Sequence, residues 1–232
     1  MLSRLHNGLR RLRRESSGFT VVELLVASVV GVLVLLVAFA LLDASSQSYT
    51  RIDTRLDGTQ RARRAMDWFE RTIRSQACPD STTPALMEAT ASSVTLWVDF
   101  GGTTFTPTQH KLELNNGKLI DSTLTGAYPA QVVSSTATLA TNIGNDGATP
   151  LFRYYAFQPG VGGNPTLPTL QLLPQVNGML SGPDLKRVVR VSVDFAALPA
   201  KYKSSTQLTT VLQNDIDVRT ADPSDPTGPK CA

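Results

Sequence analysis

The sequence predicts an α+β chain: a long N-terminal helix, first membrane-spanning and then amphipathic, packed on an antiparallel β-sheet globular domain. Three observations lead there. Residues 19–42 read FTVVELLVASVVGVLVLLVAFALL, an apolar run broken by one charge. Residues 43–77 then carry apolar side chains at steps of three or four among charged ones. From Pro79 the composition turns to Thr, Ser, Gly, Pro and Val, in short alternating runs between turn signals. Such runs read as strands joined by tight turns, and a sheet built from them covers the apolar stripe of a helix. The 232 residues suffice for one modest domain of roughly 150 residues behind the helix.

Residues 1–18 form a basic leader, with Arg4, Arg10, Arg11, Arg13 and Arg14 against Glu15. The whole chain carries a net charge of +3 and a pI near 9.0, but this leader supplies the excess. Without it the chain is close to neutral, so global charge makes no case for nucleic acid as a partner. Arginines immediately before an apolar run stay cytoplasmic, which sends the rest of the chain outward.

The apolar run is long enough to cross a bilayer, since about 20 helical residues span a hydrocarbon core of about 30 Å. Glu23 lies inside it. A carboxylate there costs on the order of 2.5–3.5 kcal/mol and calls for a partner, unless it reaches headgroup water near the end of the run. Ser16-Ser17-Gly18 precede Phe19, and a cut after Gly18 would place a new α-amine four residues before Glu23.

Those residues carry a resemblance. GFTVVELL, from Gly18 to Leu25, resembles the cleavage and methylation signature of type IV prepilins and pseudopilins. The resemblance implies cleavage between Gly18 and Phe19 by a prepilin peptidase, N-methylation of Phe19, and a role for Glu23 in filament assembly against a neighbour's amine. It covers about the first 45 residues. The helix RRAMDWFERTIRSQ resembles, more loosely, that of larger PilW-like minor pilins.

The second half of the helix, residues 43–78, should present Ile52, Leu56, Thr59, Ala62, Met66, Phe69 and Ile73 on one face. Asp57–Arg61, Asp67–Arg71 and Glu70–Arg74 are acid-then-base pairs at i,i+4, each adding about 0.2–0.5 kcal/mol. Packing of the stripe must therefore fix the helix. Gly31 and Gly58 weaken it by about 1 kcal/mol each relative to Ala. Cys78-Pro79 should end it. Arg51, Arg55, Arg61, Arg63, Arg64, Arg71 and Arg74 are offset by acids on the same helix, so they read as solvent or subunit contacts before nucleic-acid ones.

Residues 79–232 form the extracytoplasmic head with a Pro-rich tail. Val94–Phe100, Lys111–Leu114, Lys118–Asp121, Leu151–Phe157, Val188–Phe195 and part of Thr206–Val218 have strand character. Asn115-Asn116-Gly117 marks a hairpin. Residues 126–150 and 158–183 read as long surface loops, and Ala221–Ala232 as an irregular tail. The two cysteines, Cys78 and Cys231, pair as a disulfide if the head is exported, and stay as thiols if it meets a reducing compartment.

Enzymatic chemistry is poorly represented. His6 and His110 are the two histidines, and no Cys/His metal spacing, G-x-S-x-G elbow or Walker loop occurs. Gly160-Val161-Gly162-Gly163 lies between prolines, as a surface loop does. Asp215, Asp217, Asp222 and Asp225 do not follow the EF-hand order, and no metal or cofactor is expected. The reading is a non-enzymatic structural subunit, a minor pilin or pseudopilin. Its expected partners are prepilin peptidase, other pilin subunits and, before assembly, cytoplasmic-membrane lipid. It would start as a single-pass protein with its N-terminus inside and end in a cell-surface or periplasmic filament serving pilus biogenesis, secretion, adhesion or DNA uptake. The alternative is a secreted binding protein cut after Ala38-Phe39-Ala40, or a permanently anchored single-pass one.

Overall fold

The computed structural model describes residues 20–158, 169–198 and 209–218. Gly18, Phe19 and Cys231 lie outside them, as do the glycine-rich loop at 160–163 and the tail. The chain divides into two units, Met1–Ile52 and Asp53–Ala232.

Helix α1 spans Val21–Arg74, 54 residues. In the second unit its buried residues begin at Gly58 and continue through Ala62, Ala65, Met66, Phe69, Thr72 and Ile73. The lower part of the expected stripe follows this face. Its upper part does not: Ile52 is 60% and Leu56 55% exposed. Of the expected ion pairs, Asp57–Arg61 and Glu70–Arg74 form. Arg71 instead stacks over the Phe100 ring, 5.5 Å from its centroid, because the head offers an aromatic face there. The helix stops at Arg74, four residues before Cys78. Strand pairing captures the chain first: Asp99 N donates to Ser75 O at 2.9 Å, and Ala77 N to Trp97 O at 3.0 Å.

The head holds two antiparallel sheets rather than one. The first has the order β1-β2-β3-β4-β5, from Leu86–Ala89, Ser93–Val98, Thr108–Asn115, Lys118–Thr125 and Val132–Thr141. Each strand follows its neighbour, as short turns dictate. The Asn-Gly hairpin is present, with Asn116 at φ 47° and Gly117 at φ 72°, the left-handed pair that a type I′ turn requires. It sets Asn115 opposite Lys118. The second sheet has the order β10-β9-β7-β8, from Thr210–Asp217, Arg190–Ala197, Phe152–Gln158 and Thr169–Leu172. The short β6, Ile143–Gly144, also pairs with β9.

The two expected loops carry structure. Residues 126–150 contain β5 and β6, and residues 158–183 contain β8 and the start of a short helix α2, Gly182–Leu185, capped by Ser181. β5 is exposed on both faces over 132–138. Its sequence, VVSSTATLAT, therefore lacks the alternation that a half-buried strand shows.

The core lies where α1 meets both sheets. Phe69 stacks on Phe152 at 5.8 Å, and Phe152 on Tyr154 at 6.3 Å. Val94, Leu96 and Leu112 join from the first sheet, and Val191, Val193 and Phe195 from the second, all fully buried or nearly so. The Tyr154 hydroxyl donates to Thr90 O at 2.9 Å and to Ser93 O at 3.2 Å, fastening the second sheet to the β1–β2 turn.

Candidate functional site

The start of α1 is the candidate site, and its geometry follows from four residues. Thr20-Val21-Val22-Glu23 has the T-x-x-E form of a capping box. The first N–H groups of a helix have no intrahelical acceptor, and in a lipid environment water cannot serve. Here Thr20 Oγ1 accepts from Glu23 N at 3.2 Å, and Glu23 Oε2 accepts from Thr20 N at 3.2 Å. The Thr20 hydroxyl also donates to Oε2 at 3.2 Å, and Leu24 N reaches Thr20 O at 3.1 Å. The carboxylate thus sits on the positive end of its own helix, where negative charge is favoured. Glu23 Oε1 takes no hydrogen bond among the described residues.

Thr20 is the residue that sequence reasoning passed over. Its signal is the T-x-x-E spacing of Thr20 and Glu23. Gly18 and Phe19 lie outside the described residues, so the α-amine expected opposite Glu23 does too.

The helix beyond Glu23 is long and apolar enough to cross a membrane, and none of its most apolar window is buried within the fold. Val21 to Leu42 stand bare, with the large side chains 52–84% exposed. The one hydroxyl in this run, Ser28, donates to Leu25 O at 2.8 Å, so it needs no outside partner.

Cys78 is disulfide-bonded. It follows the capture of the chain by β2, at the far end of α1 from Glu23. Its expected partner, Cys231, lies outside the described residues.

A second polar cluster is buried between α1 and the first sheet. His110 Nδ1 lies 2.9 Å from Asp121 Oδ1, and Trp68 Nε1 donates to Asp121 Oδ2 at 2.9 Å. His110 Nε2 meets Thr108 Oγ1 at 3.2 Å, and Phe100 lies edge-on to the imidazole at 5.5 Å. The carboxylate has both oxygens occupied inside the fold, so the cluster ties the helix to the sheet. The hairpin register explains the meeting. Leu112 faces Asp121 and His110 faces Thr123, which puts His110 and Asp121 diagonally on one face. Among the described residues no group of three or more His, Cys, Asp or Glu side chains is placed to hold a metal ion.

No known family model matches the chain, and no curated protein matches it.

Proposed function

We propose that this chain is a minor pilin or pseudopilin, a subunit that enters a type IV pilus-like filament through the apolar half of α1. The observation that carries the reading is the bare apolar surface from Val21 to Leu42, headed by a capped glutamate. A globular protein does not leave such a surface in water. Lipid covers it before assembly, and the helices of neighbouring subunits cover it afterwards. The leader's arginines hold the N-terminus inside while the head is exported. Ile52 and Leu56, separated from this surface by the polar segment 43–51, are also exposed.

Glu23 has a role in each stage. In the membrane its Oε2 closes the capping box. In the filament its other oxygen accepts the α-amine of a neighbour's Phe19, a pairing that an apolar interior makes selective for axial register. Release of that amine requires cleavage after Gly18, the expected work of a prepilin peptidase.

The decisive measurement is the intact mass of the mature chain. A mass beginning at N-methylated Phe19 is expected. A mature N-terminus at Leu41 would identify a secreted protein with an ordinary signal, and an uncleaved leader a permanent anchor. Either result overturns the filament reading. Gly18→Leu should block maturation, since the site requires a small residue.

A further inference from the structure

We propose that the cleft beside Cys78 is the binding surface for the chain's own C-terminal segment, residues 219–231, which lie outside the described residues. The cleft has a volume of about 180 Å³ and is lined by Cys78, Thr82 and Leu86 and by Leu185, Lys186 and Val188. Its walls are built from within the head. The Asp80 carboxylate accepts from Thr82 N at 2.8 Å and Thr83 N at 2.7 Å, and from both hydroxyls, which closes the 80–83 loop. Trp97 N donates to Ala85 O at 2.7 Å, and Leu185 N to Ser181 O at 3.0 Å. A cleft of this size takes a few side chains of an extended segment, whereas a folded partner needs a face of roughly 800 Å².

The occupant follows from where the tail starts and where it ends. Val218, the last described residue, donates its N–H to Val189 O at 2.8 Å, next to the lining Val188. Cys78 is disulfide-bonded, and Cys231 is the other cysteine of the chain. The docking rests on the pairing of these two. Residues 219–230 then join two points on the cleft's rim, with an extended reach of roughly 40 Å. A segment tethered at both ends meets the cleft at an effective concentration on the order of millimolar, which favours it over a free competitor. Its composition suits the walls. Asp222-Pro223 and Asp225-Pro226 each set a prolyl ring beside a carboxylate, and the cleft sets Leu185 beside Lys186. A prolyl ring has no N–H to leave unsatisfied and no side-chain rotamers to lose on burial. Lys186 is exposed and makes no ion pair among the described residues, so its ammonium is open to either aspartate. The docking needs no membrane and no filament, so it stands apart from the reading above.

The test is hydrogen exchange of the full-length oxidised chain in detergent micelles, compared with a chain ending at Val218 and with Cys231→Ser. Amides of residues 81–86 and 185–188 should exchange about tenfold faster in the shortened chain. β4 amides should keep their protection and show that the head stays folded. Cys231→Ser should retain part of the cleft's protection, because the segment keeps one tether and its contacts. In the full-length chain Lys186→Glu should speed the same amides about threefold. Adding Asp222→Lys and Asp225→Lys should reverse this, a rescue that general loosening would not produce. Equal exchange at the cleft in the full-length and shortened chains overturns the proposal. So does a charge swap without rescue. Protection that rises with protein concentration also overturns it and gives the cleft to a second copy. Non-reducing peptide maps report the Cys78–Cys231 bond separately. A missing bond overturns the pairing and the docking with it, whereas an intact bond over an unprotected cleft overturns the docking alone.

Discussion

In the proposed reading, the Glu23 carboxylate serves two structures, the subunit and the filament. Within the subunit Glu23 accepts from the Thr20 backbone N–H and hydroxyl, and Thr20 accepts in return. Loss of the threonine oxygen removes an N-cap worth about 1 kcal/mol. Loss of the glutamate removes the cap's second half and, in a filament, leaves a neighbour's amine unpaired in an apolar interior, at about 3–5 kcal/mol. Thr20→Val should therefore lower the protein in sheared filament fractions modestly, and Glu23→Ala should nearly abolish it. Both should persist in the membrane fraction, with cleavage and methylation checked in parallel. Full incorporation of Glu23→Ala would mean the acid is a tolerated interface residue. Tyr154 makes a second residue-scale case. Burial first, and then the Glu88 carboxylate, hold its phenol well above the ordinary 10.0, while the bond to Thr90 O pulls the other way. An unfolded tyrosine ionises near 10.0 and the folded one only at higher pH. The contribution to stability is thus complete below pH 10 and is lost as pH rises from there toward the folded value. Denaturant midpoints should fall steeply above pH 10, with less slope in Tyr154→Phe. That variant should also lose about 1 kcal/mol at neutral pH with the two hydrogen bonds.

At the scale of elements, α1 and β5 were legible to different degrees for the same physical reason. The lower face of the helix has one environment, so Ala62, Met66, Phe69 and Ile73 repeat at the helical period and burial follows. Ile52 and Leu56 share that period but stand exposed, since periodicity reports an apolar face and not what covers it. β5 has solvent on both faces and so no period to read. Gly58 read as a weak point of the helix, yet it is buried, and a Cβ there would lie 3.5 Å from Leu198 O, an ordinary contact. Gly58→Ala should therefore stabilise the head by up to about 1 kcal/mol in denaturant unfolding, through helix propensity. A destabilised variant would show that α1 and the Leu198 backbone must approach more closely than an alanine permits.

For the whole molecule, the disulfide at Cys78 is the main covalent constraint. If its partner is Cys231, the closed loop holds roughly 150 residues and is worth about 4–5 kcal/mol in the chain-entropy model. Cys78→Ser should lower the unfolding free energy of the head by about 2–5 kcal/mol. Non-reducing peptide maps of protein from its native location should contain one Cys78–Cys231 peptide. Quantitative alkylation of both thiols without reductant would exclude the pairing.

The sequence by itself determined the α+β class, the apolar N-terminal helix with its embedded acid, the Asn-Gly hairpin and most of the strands. Each of these is a local pattern: a run, a period, or a turn that needs positive φ. Only the tertiary structure decided that the strands form two sheets, that α1 stops at Arg74, and that Trp68, His110 and Asp121 meet. Those outcomes depend on which surfaces compete for the same partner. The chain leaves the helix after Ser75, where Ser75 O accepts from Asp99 N, just past β2, and Ala77 N donates to Trp97 O in β2. Asp121 is tolerated in the interior because donors from α1 and β3 converge on it, and convergence of residues 53 and 11 positions away cannot be read from spacing along the chain.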